Sequence, residues 1–159
     1  MEAITVTGVY KKERYEELLP QIAALLADES DLIANLANVS AALKMAFEHY
    51  SWVGFYLLKN DELVLGPFQG KVACARISFG KGVCGSSAER RETIIVQDVS
   101  KFAGHIACDP DSRSEIVVPM VCGAQLCGVI DVDSHDPASF DETDRAYLEK
   151  IAEIVSVKF

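Results

Sequence analysis

The chain of 159 residues carries 24 acidic against 15 basic side chains, a formal net charge of −9, with half of its residues apolar and a quarter charged. That is ordinary composition for a folded domain, and the length suffices for one hydrophobic core. With no basic cluster beyond KKER at 11–14, the balance excludes electrostatic binding to nucleic acid or to an anionic membrane surface.

The opening MEAITVTGVYKKERYEELL lacks the apolar run of a secretory leader, and no stretch approaches membrane-spanning length. A cytoplasmic location is therefore expected. Residues 13–28 place Tyr15, Leu18, Leu19, Ile22, Leu25 and Leu26 at helical spacing. A second amphipathic helix follows, capped by Ser30 or Asp31, with Leu32, Leu36, Val39, Leu43 and Phe47 as its apolar stripe. From Trp52 the period changes to two. WVGFYLLK is a strand, Asn60-Asp61 a turn and LVLGPF its hairpin partner, with ACARISF at 73–79 a further strand.

GKGVCGSSAERR reads as a glycine-rich entry into a short helix, and TIIVQD at 93–98 as another strand. Glycine, Asp-Pro and Asp-Ser signals mark 99–113 as a long loop. EIVVPMV and AQLCGVIDVD form a hairpin about Cys122-Gly123, and SFDE at 139–142 caps a closing helix bearing Tyr147, Leu148, Ile151, Ile154 and Val155. The order predicts an α+β fold. It is a single domain whose central, mostly antiparallel sheet has N- and C-terminal helices packed on one face.

Three patterns bear on chemistry. Gly80, Gly82 and Gly85 fit the glycine spacing of a dinucleotide loop, with Asp98 beyond the next strand. Two helices precede every strand, however, and the second half supplies a hairpin where further βαβ units are needed. Tight-turn glycines are the better reading, and no cofactor is implied. The five cysteines, Cys74, Cys84, Cys108, Cys122 and Cys127, are an odd number in a chain expected to meet reducing conditions. Neither His105 with Cys108 nor Cys122 with Cys127 has structural-zinc spacing, so no metal is assigned. Cys122 and Cys127, at a hairpin end, read as small packing residues.

The third pattern is IDVD. Asp131 and Asp133 share one strand face about 7 Å apart, with Ile130 and Val132 on the other. A three-residue loop of Cys122-Gly123-Ala124 sets Glu115 opposite Asp131, whereas a two-residue loop sends Glu115 to the other face. Three gathered carboxyls repel one another, which raises at least one pKa and suits a cation, either a metal or a ligand's ammonium. Trp52, Gly54 and Tyr56 also share a face, where the missing side chain of Gly54 leaves a gap between two aromatics. Core packing and a small apolar pocket explain that gap equally. Asp109, beside Cys108, is expected to discourage that thiol's ionisation. His49, His105 and His135 receive no role.

The spacing Cys74-x9-Cys84-x23-Cys108, with SWVGFYL, GKGVCG, HIACDPDSRSEIVVP, GVIDVDS and SFDETD, resembles the free methionine-(R)-sulfoxide reductases, which are single GAF-type domains. The likeness covers nearly the whole chain, so it implies one GAF-like catalytic domain over residues 1–159. It implies reduction of free methionine-(R)-sulfoxide to methionine under oxidative stress. Cys108 would be the nucleophile that becomes a sulfenic acid, Cys74 the resolving thiol and Cys84 an alternative or relay. Thioredoxin would reduce the resulting disulfide. Glu115, Asp131 and Asp133 would hold the polar end of the substrate, and Trp52 and Tyr56 its methyl group. The rival expectation is a GAF sensor domain that binds a small ligand and uses its cysteines only for packing. Oligomeric state is open, with a homodimer one alternative to a monomer.

Overall fold

The apolar stripes of the sequence become one side of a layered structure. A computed structural model of the chain describes residues 4–106 and 108–159. Helix α1 (Lys11–Ala27) buries Tyr15, Leu18, Ile22 and Leu26, the three- and four-residue series of its sequence. Helix α2 (Leu32–Ala46) starts where the Asp31 carboxylate accepts the Ala34 amide at 2.8 Å. That bond satisfies one of the free N–H groups of the first turn. Strand β1 (Tyr50–Lys59) then pairs with β2 (Glu62–Gln69) through a turn in which Asn60 and Asp61 take φ of 51° and 61°. This is the two-residue hairpin connection that such residues favour.

Beyond β2 come β3 (Arg76–Ser78), α3 (Gly82–Arg90), β4 (Ile94–Val96) and a single 3₁₀ turn over Val99–Lys101. The long loop ends at β5 (Ser114–Cys122), which pairs with β6 (Gln125–Ser134) before α4 (Glu142–Ser156) closes the chain. The Asp141 side chain caps α4 by accepting the Thr143 and Asp144 amides. The sheet order is β3-β2-β1-β6-β5-β4 with every pair antiparallel. The chain is therefore α+β with an antiparallel sheet, as its element order implied.

Side-chain alternation along the strands builds two cores. Val53, Phe55, Ile116, Val118, Ile130 and Val132 face α1, α2 and α4. On the other face Trp52, Tyr56, Val117 and Val129 meet α3 through Val83, Cys84 and Ala88. The N- and C-terminal helices thus cover one face, and α3 with the long loop covers the other.

Three local expectations change. The strand expected over 73–79 shortens to Arg76–Ser78, because the Cys74 carbonyl accepts the Tyr56 hydroxyl at 2.9 Å instead of a ladder amide. Gly54 leaves no opening, since a Cβ there would lie 2.3 Å from the Phe68 Cβ, and Phe68 stacks on Trp52 with ring centroids 5.1 Å apart. At Gly85 a Cβ would come within 2.3 Å of the Ser78 carbonyl oxygen. That glycine serves the close seat of α3 on β3, while Gly80 and Gly82, with φ of 72° and 59°, make the tight turn expected of this stretch.

The β5–β6 hairpin corrects the register. It turns through two residues, Gly123 and Ala124, with Cys122 opposite Gln125. On its own that turn would send Glu115 into the helical core. The register then shifts between Met120 and Val121, leaving Cys127 as one extra residue in β6. Such a bulge reverses the face once more. Glu115 therefore reaches the expected face, but opposite Asp133, while Val117 faces Asp131. Cys122 and Cys127 are not two packed thiols. They form a disulfide across this bulge, with Cα atoms 6.0 Å apart.

Candidate active site

The pocket lies on the α3 face, at the end of the sheet where β5 begins and β6 ends. Trp52 and Tyr56 from β1 form one wall, their rings stacked with centroids 6.0 Å apart. Each also holds the segment that leads to β3. The Trp52 indole N–H donates to the Lys71 carbonyl at 3.1 Å, and the Tyr56 hydroxyl to the Cys74 carbonyl. A β-strand supplies two side chains on one face at a two-residue step, so one short stretch makes the wall and fixes the Cys74 backbone.

Three carboxyls form the opposite floor. Glu115 and Asp131 are 6 % and 7 % exposed, and Asp133 stands beside them on the same face. Burial raises the proton affinity of Glu115 well above the usual range, and the charge of Asp133 adds to it. Asp131 is pushed the same way by burial, then by Asp133 and Glu115. Asp133 rises to about 6 by burial, against the Ser112 hydroxyl that donates to its Oδ1 at 2.7 Å and the nearby charge of His105. Asp131 Oδ1 is buried and, among the described residues, accepts no hydrogen bond. The floor therefore holds its protons to higher pH than ordinary carboxylates do and offers an unsatisfied acceptor to an incoming cation.

The thiols sit around this floor. Cys84 is free and buried at the start of α3, and its Sγ, a Glu115 oxygen and an Asp131 oxygen all lie within 4.8 Å of one another. Burial raises the Cys84 pKa well above normal, and the charges of Asp131 and Glu115 raise it further. Cys108, which lines the pocket, is joined to Cys74 as a disulfide with Cα atoms 5.9 Å apart. The disulfide joins residues from two segments that the sequence separates by 34 positions.

Seven of the eight residues singled out in the sequence thus line a single pocket, and the eighth, Cys74, is joined to it through its disulfide with Cys108. Sequence reading passed over three neighbours. His105 brings its Nε2 to 3.5 Å from Glu115 Oε2, Ser112 bonds Asp133, and Lys71 reaches the Cys108 loop. Only His105 had a signal, its place three residues before Cys108. Asp109 also differs from expectation, because its carboxylate pairs with Lys71 and His135 and does not stand as an uncompensated charge beside the thiol. Two groups have ligand types that could hold a cation: Cys84 with Glu115 and Asp131, and the surface set Asp109, Asp111 and His135.

A six-stranded antiparallel sheet with helices on one face and a pocket beneath α3 on the other sets the class, and the family model for the GAF domain matches residues 27–158. The chain is 52 % identical over 155 residues to "GAF domain-containing protein A" of Dictyostelium discoideum, covering 97 % of this chain and 98 % of that protein. It is 46 % identical over 148 residues to the "Free methionine-R-sulfoxide reductase" of Escherichia coli, covering 92 % and 90 %. The X-ray structure of free methionine-R-sulfoxide reductase from Neisseria meningitidis, in complex with its substrate, superposes with a TM-score of 0.98 at 50 % identity, covering 100 % of this chain and 96 % of that one. The chain belongs to the GAF-domain family of free methionine-R-sulfoxide reductases.

Proposed function

We propose that residues 1–159 form one catalytic domain that reduces free L-methionine-(R)-sulfoxide to methionine. The observation that carries this reading is the Cys74–Cys108 disulfide, whose Cys108 lines a pocket floored by Glu115, Asp131 and Asp133. In the reduced protein the Cys108 sulfur attacks the sulfoxide sulfur, while a floor carboxyl protonates the sulfoxide oxygen. The S–O bond breaks as that oxygen passes to Cys108. Methionine leaves and Cys108 becomes a sulfenic acid. A carboxyl held protonated near neutrality suits this step, because an unprotonated sulfoxide oxygen is a poor leaving group.

Glu115, Asp131 and Asp133 together bind the α-ammonium with whichever oxygens remain ionised. A methionine within a peptide offers an uncharged amide there and would leave the floor unpaired, a strong basis for selecting the free amino acid. Trp52 and Tyr56 enclose the methyl group. Cys74 then attacks the sulfenic acid, expelling water, and a thioredoxin dithiol reduces the disulfide by exchange. Cys84 is a weaker resolver on this view: its buried thiol resists ionisation beside Asp131 and Glu115. A cytoplasmic setting fits an enzyme recycled in this way.

Incubation with dithiothreitol and racemic free methionine sulfoxide tests the reading. Methionine should form with only the S epimer left, and Cys108→Ser should form none. Equal loss of both epimers, or no methionine at all, refutes it.

A further inference from the structure

The charged groups around the two redox cysteines form a pattern that sulfoxide reduction does not require. Lys71 lies just before Cys74 on the segment pinned by Trp52 and Tyr56. Asp109 follows Cys108. Across 38 positions of sequence, the Lys71 ammonium donates to Asp109 Oδ1 at 3.1 Å, and it also reaches Asp111 Oδ2 at 2.9 Å. The other Asp109 oxygen meets His135 Nε2 at 2.9 Å, just past the end of β6, while Oδ1 accepts the Asp111 amide as well. Asp109 is 13 % exposed in its side chain, far less than Lys71 at 56 %. Burial alone would raise the Asp109 pKa. The hydrogen bonds from His135, the Asp111 amide and Lys71 outweigh it and hold the carboxyl at about 2.

This arrangement differs from the ties elsewhere on the loop. Among the described residues, the backbone amides of Phe102, His105, Cys108 and Ser112 donate to Val99, Phe102, Ile106 and Asp109, within the loop or the turn before it. Gly104 has nothing within 4 Å of the position a Cβ would take. At the far end of the loop the Ser112 hydroxyl and the Arg113 amide reach β6 through Asp133 and Ser134, whereas Asp109, next to Cys108 in sequence, ties the nucleophile's own position to the Cys74 segment through Lys71 and to His135 past the end of β6.

We propose that Lys71 and His135 are positioning residues for the resolving step: they clasp Asp109 so that Cys108, once a sulfenic acid, stays within reach of Cys74. The inference rests on the functional reading above. In the step concerned the Cys74 sulfur bonds to the Cys108 sulfur as the Cys108 S–O bond breaks. The hydroxyl leaves with the Cys74 proton as water, and the oxidising equivalent is the one delivered by the sulfoxide. Closure within one chain is governed by how much of the time the two sulfurs are near each other, so a tie beside the nucleophile acts on its rate.

Single-turnover reaction of the reduced protein with methionine-(R)-sulfoxide separates the steps. Methionine release reports the first step, and dimedone capture followed by mass spectrometry reports the lifetime of the Cys108 sulfenic acid. In Lys71→Ala that lifetime, relative to the rate of methionine release, should lengthen about threefold to tenfold, the range supported by charged hydrogen bonds of partial exposure. Lys71→Arg should restore it. Salt at ~0.5 M should lengthen the lifetime in the wild type and add little in Lys71→Ala, because screening removes the same contact. An unchanged lifetime in Lys71→Ala overturns the proposal, as does an equal slowing of both steps, the mark of general damage. Failure of the reduced wild type to release methionine would instead refute the functional reading.

Discussion

Two buried polar clusters stand on opposite faces of the sheet, and their difference separates what stabilises this fold from what works in it. On the helical face the fully buried Asp144 accepts the Tyr15 hydroxyl at 2.9 Å and the Asp141 amide at 2.9 Å, and pairs with the Lys11 ammonium at 2.5 Å. The Tyr15 and Tyr50 hydroxyls bond one another at 2.5 Å. Each group finds a partner within the chain, and α1 is tied to α4. On the pocket face, Glu115, Asp131 and Asp133 gather without an internal ammonium among the described residues, and one Asp131 oxygen accepts nothing. Buried charge that is satisfied supports the structure, whereas the unsatisfied set is tolerated because a ligand completes it.

The sharpest way to break the comparison is to neutralise one acid in each cluster. Asp131→Asn should lower kcat/KM by about 10²–10⁴-fold, the range of a lost proton donor or ammonium contact, while the midpoint of thermal unfolding stays level or rises as repulsion is relieved. Asp144→Ala should do the reverse. Stripping the partner from Lys11 and Tyr15 should cost about 3 kcal/mol in denaturant unfolding, with kcat/KM per folded molecule retained. A loss of stability in Asp131→Asn comparable with that of Asp144→Ala would erase the distinction.

Within the pocket face itself, two carboxyls should contribute pH dependences of opposite sign. Asp133 is raised from 3.8 to about 6, so the folded state holds its proton more tightly than the unfolded chain does. Its contribution is fully present below about pH 4 and is lost as pH rises through about 6, by up to ~3 kcal/mol at 1.36 kcal/mol per unit. Asp109, held at about 2, contributes in the opposite sense, and its share is lost only as pH falls through that value. Comparing Asp133→Asn with the wild type between pH 4 and 7 isolates the first effect. A wild-type stability that fails to fall relative to the variant over that interval would contradict it.

Much of this comparison was legible in the sequence, unevenly. The stripe Tyr15, Leu18, Ile22, Leu26 and the Asp31 cap stated α1 and α2 directly, because helical period and capping are local. The alternation in IDVD gave the face of Asp131 and Asp133 for the same reason. Glu115 was harder. Its face depends on a turn length and a bulge, and the extra residue at Cys127 is set by how β5 and β6 settle against both cores. The likeness in the cysteine spacing supplied the triplet, yet no local signal pairs Lys71 with Asp109, since that contact exists only once the 70–75 segment and the long loop meet. The satisfied cluster was invisible for the same reason, with Lys11 and Asp144 joined across 133 positions.

The smallest expected effect tests how finely the floor is tuned. Ser112 sits at the end of the Cys108 loop and donates its hydroxyl to Asp133, a bond that opposes the upward push of burial. Its contribution is about 1 kcal/mol, against the larger cost of burying the carboxylate. Ser112→Ala removes the donor and leaves the acids in place. The Asp133 pKa should move further up, and with it the pH at which the protonated floor is lost. If turnover uses that proton, the alkaline limb of the kcat/KM profile shifts to higher pH. The Ser112→Ala protein then holds activity at a pH where the wild type declines. An unmoved alkaline limb with the acidic limb shifted to higher pH would mean that the ionised floor limits the rate, and the floor would then act mainly by gripping the ammonium of its ligand.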